Sequence, residues 1–595
     1  MAELTIVVHD LRGAAEASSR LAPALKRARE CDGRVVAVVG RREATAARVE
    51  LEDTSVEIVA VDDGATSGAR KNAGLERAAG DALLFSSEIK AAETDAVARV
   101  QTELDTIPGA VVAGCRVSGA SGRIVNAGYH VTKPGCEQFP IGSGMKDINQ
   151  YYYTREVEGV DSAFMYVKRE ALLAAGRFDE SYSEGYDDID FCLKVRQKGL
   201  KVVCVGSSRV TLFESPTAAG SDAKEAFKER WLQPLLDDYE TSVMWHSWIN
   251  APTGYAVSSQ YLVLALESLN VDVRYGFVYG VEEPPNDDER IMEVRRKPKD
   301  LEISQVVYGQ GDVFFKNSGK YRVGYSMLEV TGIPADWVEQ ANALDEIWVP
   351  SEFNRETFSN SGVKRPIKIM PLGVDINCFH PFIKARHVDT RFVFLSVFEW
   401  GERKAPEILI QAYNQAFGSN DDVLLLLKVI NTDPAVNIER QVEAMRLRPD
   451  RAPVIVIKNH NIPSYQMGSL YCSSDCFVLS TRGEGWGMPT LEAMACGLPV
   501  ISTAWSAQTE FFNEDVGYPI EIRRLIPAVA KCPYYEGFEW ADPDVDSLAS
   551  LMRHVYENRD EARAKGLRAS ISARENWTWL DAASRIKSRL LQIEG

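Results

Sequence analysis

The stretch Arg482–Val500, RGEGWGMPTLEAMACGLPV, places Gly483, Gly485 and Gly487 in a turn that runs from an apolar run into a short apolar helix, with the carboxylates of Glu484 and Glu492 along it. The run before it, CFVLS (476–480), reads as a strand buried on both faces. Gly483, Gly485 and Gly487 make a permissive turn, Pro489 suits the first turn of a helix, and Gly497 suits the position just past its end. The passage is therefore strand, glycine loop, helix. In open parallel sheets ligands collect beyond the carboxyl ends of the strands. A helix starting there presents free N–H groups and the positive end of its dipole, which accept phosphate. Glu484, in the loop, and Glu492, expected in the first helical turn, are spaced to bind two parts of one elongated ligand.

Working outward, FVFLSV, VLLLLKV and APVIVIK are further near-continuous apolar strands, as crossover helices on both faces of a sheet require. The segment GERKAPEILIQAY puts Arg403 and Lys404 between the first of these strands and a helix expected to begin near Pro406. Two cations beside helix N–H groups suit a diphosphate. Each feature alone is also an ordinary structural motif: a loop glycine, a first-turn acid, a solvated cation pair. Together, in a doubly wound unit, they indicate a nucleotide-diphosphate ligand.

Upstream, TSVMWHSWINAPTGYAVSSQYLVLALESLNVDVRYGFV runs strand, Pro/Gly turn, helix, strand, and its unit closes around IKIMPLGVDINCFHP. Gly254 in its glycine loop permits close ligand approach. The first third alternates LTIVVHD, RVVAVVG, VEIVAVD and DALLFSS with helical stretches, which predicts an α/β domain with a mostly parallel sheet. The expected organisation is residues 1–235, 240–384 and 385–575, with a cleft between the last two. An amphipathic tail helix, 576–595, is expected to pack back on the middle unit.

At 595 residues the chain is long enough for three or four domains. A net charge of −18 argues against nucleic-acid binding and leaves at most peripheral membrane association. No run approaches a membrane span, and the start MAELTIVVHD has no basic region before a long apolar one, so a cytoplasmic location is expected. Ten scattered cysteines, without a CxxC pair, read as reduced core residues, and seven dispersed histidines give no metal-ligand spacing. Nothing in the sequence sets the oligomeric state.

Glu484 and Glu492 have the E-x7-E spacing of retaining glycosyltransferases of family 4, and EGWGMPTLEAMACGLPVIST resembles that family's most distinctive segment. The resemblance covers about residues 243–580, including DEIWVPSEFNRETF and PLGVDINCFHP. It implies a GT-B fold, a pair of doubly wound Rossmann-like domains, and a nucleotide-sugar donor of UDP or GDP type. It implies that Glu484 contacts donor-sugar hydroxyls, Glu492 the ribose diol and Lys404 the diphosphate. The backbone of Gly485, Gly487 and Met488 neutralises charge on the leaving group, with no cofactor at this site. The acceptor is a glycan or glycoconjugate, in the manner of bacterial surface-polysaccharide assembly. Two departures stand out. The family often has an arginine a few residues before the lysine, where this chain reads SVFEWGERK and offers Arg403. The acceptor-side histidine of many members has no match in GYSMLEVTGIPADW, where Glu329 is a candidate.

Residues 1–215 resemble, more weakly, inverting family 2 glycosyltransferases of GT-A fold, through GARKNAGLERAAGDALLFSSEI and VDSAFMYVKREALLAAGRFDESYSEGYDDIDFCLKVRQKG. Asp187 and Asp188 fall on that family's late acidic motif, which makes Asp188 the candidate general base. The metal-binding D-x-D of active members is replaced by Ser86, Ser87 and Glu88, a poor site for Mg or Mn. The resemblance thus implies either a non-catalytic or acceptor-binding domain, or a second active centre in which Arg70 or Lys71 stands in for the cation.

Overall fold

The computed structural model describes residues 4–11, 17–51, 55–183, 185–213, 221–251, 253–280, 286, 288–431, 433–529 and 532–595. The chain forms two compact units, Met1–Asp238 and Tyr239–Gly595.

In the first unit, Val56–Val61, Arg34–Gly40, Thr5–Val8 and Ala82–Phe85 lie side by side and parallel. Alternate residues serve opposite faces, so Ile6, Val8 and Val39 enter one core and Val7, Val36 and Val38 another. Beyond these strands the sheet is mixed: Lys201–Leu212 pairs parallel with Ala110–Ser118, while Phe164–Val167 is inserted in the opposite direction. Phe164–Val167 runs antiparallel to both Ala82–Phe85 and Ala110–Ser118. Between Ala110–Ser118 and Phe164–Val167 the chain makes short strands and turns but no crossover helix. It therefore re-enters the sheet from the end by which it left.

The second unit holds two six-stranded sheets, each wholly parallel. The first has the order Val271–Phe277, Thr241–Ser247, Gln305–Tyr308, Arg322–Tyr325, Glu346–Val349, Ile367–Ile369. The second has the order Val454–Lys458, Val423–Ile430, Phe392–Glu399, Cys476–Leu479, Val500–Thr503, Tyr518–Ile520. Numbered within its sheet this is 3-2-1-4-5-6, the doubly wound order whose crevice opens between strands 1 and 4. In the first sheet the order reverses beside Thr241–Ser247. One hydrophobic core runs through both sheets, from Val243 and Val306 to Val393, Leu426 and Val478.

Two helices fix the frame of the site. Gly254–Ser268 follows the strand Thr241–Ser247, and the Thr253 hydroxyl caps it by accepting from the Ala256 N–H. Trp579–Glu594, the last helix, opens with a capping box between Thr578 and Asp581 and lies against Gly254–Ser268. Trp579 stacks flat on Tyr261 of that helix, with ring centroids 5.1 Å apart. Further along, Arg589 reaches the fully buried Glu346 at 2.5 Å, and the Trp348 indole N–H donates to the same carboxylate at 2.7 Å.

A carboxylate with so little solvent depends on its cation. Arg589→Ala is expected to lower the stability of the full chain by about 3 kcal/mol, measured by urea denaturation. An unchanged midpoint would show that the helix is held by its apolar face alone.

Candidate active site

At the switch point of the second sheet, Phe392–Glu399 and Cys476–Leu479 are neighbours whose continuations part in opposite directions. The loop after the first carries Arg403 and Lys404 into the helix Pro406–Ala416. The loop after the second carries Glu484 to the helix Met488–Ala495. The two loops are sewn together by the Arg482 N–H donating to the Arg403 carbonyl at 2.7 Å and the Ser480 hydroxyl donating to the Ala405 carbonyl at 3.1 Å. Ala405 is fully buried with φ +46°, a left-handed conformation that costs a non-glycine residue about 1 kcal/mol or more. That turn ends the short 3-10 segment Glu402–Lys404 and starts the next helix at Pro406, which aims Lys404 across the crevice.

Lys404 Nζ stands 2.5 Å from Glu484 Oε1, and Arg403 Nη1 stands 3.4 Å from Glu484 Oε2 while donating to the Gly483 carbonyl at 2.7 Å. The Glu484 N–H donates to the Ser506 hydroxyl at 2.8 Å, and Ser506 is itself left-handed, with φ +66°. Burial would push the Glu484 carboxyl up, but Lys404 and Arg403 hold it below the usual glutamate value. Burial pulls the Lys404 ammonium below its ordinary value, with Glu484 opposing only part of the effect. Burial would also lower Arg403, but Glu329 and Glu484 raise it further than burial lowers it. The result is a buried carboxylate clasped by two cations at a sheet's carboxyl edge.

The remaining loop glycines divide into two kinds. Gly487, with φ +99°, is the residue from which Met488–Ala495 departs, a backbone that side chains resist. Gly483 and Gly485 serve protein contacts rather than open space. A Cβ on Gly483 would lie 2.3 Å from the Glu329 carbonyl oxygen, and one on Gly485 would lie 2.9 Å from Met327. The loop thus closes on the segment after Arg322–Tyr325 of the first sheet. Gly254 meets Met488 in the same way, its missing Cβ lying 3.5 Å from Met488 Cε. The first residue of Gly254–Ser268 therefore lies within side-chain reach of the first residue of Met488–Ala495.

Glu492 departs from the sequence reading. The helix begins at Met488, one residue before Pro489, so Glu492 opens the second turn and not the first. Its carboxylate accepts a 2.7 Å hydrogen bond from the Tyr471 hydroxyl, and burial pushes its pKa up to about 7. Sequence reasoning also missed Tyr471, Ser506 and Gln508. Gln508 accepts from the Ser502 hydroxyl at 2.9 Å beneath the Gly487 turn. The signal for Ser506 and Gln508 was their place after Val500–Thr503, another strand of the same sheet.

Asp187, Asp188 and Glu88 lie in the first unit. Asp187 opens the helix Asp187–Gln197 and pairs with Lys71 at 2.7 Å, both side chains almost wholly buried. Asp188 accepts from the Ser162 N–H, and burial, only partly offset by Lys71, pushes its pKa up to about 6. Glu88 pairs with Arg20 at 3.0 Å, while the Ser86 hydroxyl and the Ser87 N–H both donate to Asp10. Arg70 turns away and donates to the Ala65 carbonyl. Asp187 Oδ2 is taken by Lys71 and the Asp188 carboxylate by backbone N–H groups, while Asp187 Oδ1 is buried without a hydrogen-bond partner. Among the described residues no three His, Cys, Asp or Glu side chains come close enough together to hold a metal ion.

With the geometry in view, comparison with known proteins is informative. Residues 389–531 match the family model described as Glycosyl transferases group 1. The GDP-mannose-dependent alpha-(1-6)-phosphatidylinositol monomannoside mannosyltransferase of Mycolicibacterium smegmatis is 22% identical over 287 residues, 45% of this chain and 68% of that protein. A probable sucrose-phosphate synthase of Thermosipho melanesiensis is 25% identical over 155 residues, 25% of this chain and 35% of that protein. Among solved structures, the sucrose-phosphate synthase of Thermosynechococcus elongatus aligns with a TM-score of 0.45 at 17% identity, covering 60% of this chain and 99% of that one. Residues 389–531 are thus similar to a glycosyltransferase group 1 domain. No helix among the described residues is long and apolar enough to cross a membrane.

Glu492 gives a test through pH. Its folded value near 7 lies above the ordinary 4.5, so the folded protein keeps a proton that the unfolded chain releases. The contribution is full below the ordinary value and is lost as pH rises through the folded one. Without ligand, Glu492→Gln is expected to exceed wild type in stability at about pH 8, by up to about 3 kcal/mol, and to match it at about pH 4. Denaturation midpoints that differ equally at both pH values would remove the assignment.

Proposed function

We propose that residues 239–595 form a retaining glycosyltransferase that moves a sugar from a nucleotide-diphosphate sugar to a glycan or glycoconjugate acceptor. The single observation that carries this reading is the meeting of Lys404, Arg403 and Glu484 at the switch point of the second sheet, in the loops that lead into the helices Pro406–Ala416 and Met488–Ala495. In this reading residues 385–575 hold the donor and 240–384 face the acceptor. The donor diphosphate lies against the helix ends with Lys404 and Arg403 beside it. Glu484 accepts hydrogen bonds from the donor sugar, and its pairing with Lys404 fixes both groups before the ligand arrives. The Glu492 carboxylate takes both ribose hydroxyls, whose donation favours its ionised form.

When the bond from C1 of the sugar to the diphosphate oxygen breaks, its electron pair leaves with the diphosphate. Negative charge grows where the cations and N–H groups already stand, so they stabilise the transition state more than the ground state. The acceptor oxygen bonds to C1 on the face the diphosphate leaves, and its proton passes to a leaving phosphate oxygen. The configuration at C1 is kept.

The first unit is, in this proposal, a GT-A-like domain that is non-catalytic or binds acceptor. The support is the internal Lys71–Asp187 pair and the engagement of Ser86, Ser87 and Glu88 by protein partners. The name of the Mycolicibacterium smegmatis mannosyltransferase suits a glycoconjugate acceptor.

A thermal-shift series with UDP- and GDP-sugars, with and without EDTA, should single out one donor that raises the melting temperature whether or not chelator is present. Lys404→Ala and Glu484→Ala should each cut transfer by roughly 100-fold or more, while Asp188→Asn leaves it unchanged. If Asp188→Asn instead removes one of two product linkages, both units are catalytic. If no nucleotide sugar shifts the wild type, the proposal falls.

A further inference from the structure

After the last strand of the second sheet the chain makes an antiparallel hairpin, Ile522–Pro527 with Glu539–Pro543, that crosses to the first sheet of the same unit. Its far side is pinned there in several ways. The Thr331 N–H donates to the Glu539 carbonyl, and the Glu539 N–H donates to the Thr331 hydroxyl, each at 3.0 Å. The Phe538 ring fills the place where Gly332 has no side chain. The Tyr534 ring packs on Trp337 at 5.0 Å, and its hydroxyl donates to Asp312 at 2.9 Å. The near side stays with the glycine loop, through the Ala541 N–H donating to the Arg482 carbonyl at 3.0 Å.

The hairpin thereby holds one side chain at the boundary of the two sheets. Tyr535, nearly buried, donates from its hydroxyl to Glu329 Oε2 at 2.9 Å. The other oxygen, Oε1, lies 3.6 Å from Arg403 Nη1, too long for a hydrogen bond, while Arg403 spends its short contact on the Gly483 carbonyl. The Glu329 side chain keeps 18% of its surface exposed. It is a fixed carboxylate with an unfilled acceptor oxygen, supplied by the first sheet and facing the donor-side cations of the second. A carboxylate only accepts hydrogen bonds when ionised, so its complement is a ligand rich in hydroxyl donors.

We propose that Glu329, mounted by Tyr535, positions the acceptor by receiving a hydroxyl of an acceptor sugar adjacent to the one that attacks. The attacking hydroxyl keeps its proton for the leaving diphosphate, so Glu329 is a positioning residue and not the base. The inference rests on the glycosyl-transfer reading above. It adds the acceptor class, a pyranoside with neighbouring hydroxyls, and assigns Tyr535, beside the strands Ile522–Pro527 and Glu539–Pro543, to its binding.

The test uses the full chain, the nucleotide sugar chosen by thermal shift, and a panel of methyl α- and β-pyranosides of glucose, galactose and mannose as acceptors. Glu329→Gln should raise the acceptor KM by about tenfold with the donor KM changed by less than about twofold. Tyr535→Phe should move the acceptor KM in the same direction by a smaller factor, and it carries the test alone if Glu329→Gln does not fold. A donor KM that rises as much as the acceptor KM, or an acceptor KM that moves in neither variant, overturns the inference. So does a wild type that binds a donor yet uses no pyranoside of the panel. A wild type that binds no nucleotide sugar sinks the transfer reading itself, a result distinct from these.

Discussion

The second unit depends on an ammonium and a carboxylate sharing a nearly dry space 2.5 Å apart. Neither Lys404 nor Glu484 is tolerable there alone, because removing one leaves the other charge buried without compensation. The pair therefore links the loop after Phe392–Glu399 to the loop after Cys476–Leu479. Around it the backbone accepts strain at Ala405 and Ser506, the kind of cost that persists only where surrounding structure over-determines it. The Arg403 guanidinium then adds a second positive charge, shared between Glu484 at 3.4 Å and Glu329 at 3.6 Å.

The first unit contains a similar pair put to a different end. Lys71 and Asp187 are 2.7 Å apart with 2% and 1% of their side chains exposed, against 10% and 6% for Lys404 and Glu484. No guanidinium is part of it. Burial is opposed strongly enough by Asp187 and Asp188 to keep Lys71 above its ordinary value, whereas Lys404 falls below its own. One pair is sealed; the other keeps slightly more exposure and is shared with Arg403 and Glu329.

The hairpin 522–543 adds a constraint of another kind. A Rossmann-like sheet ends each strand at a loop, but here one connection leaves its own sheet, buries Trp540 and Tyr535 among residues of the other, and meets Thr331 with paired hydrogen bonds. The two sheets of the unit are thus joined at the site by polar contacts of defined geometry in addition to their shared core. Oriented hydroxyls such as that of Tyr535 are how a half-buried carboxylate keeps one direction.

The local parts of this arrangement were legible in the chain itself. Apolar runs with glycine and proline punctuation mark Cys476–Leu479, the loop and Met488–Ala495, and the spacing of Lys404, Glu484 and Gly487 relative to those elements follows from helix and strand periodicity alone. What tertiary structure decided involves partners far apart in sequence: Tyr535 for Glu329, 206 positions away, Lys71 for Asp187, 116 away, and Tyr471 for Glu492, 21 away. It also decided that Gly483 and Gly485 yield to Glu329 and Met327, and that Phe164–Val167 enters its sheet reversed. Periodicity and turn chemistry act over a few residues, so they set elements and loops. Which buried polar group answers another is set by packing, where every charge withdrawn from water must find a partner wherever the fold brings one.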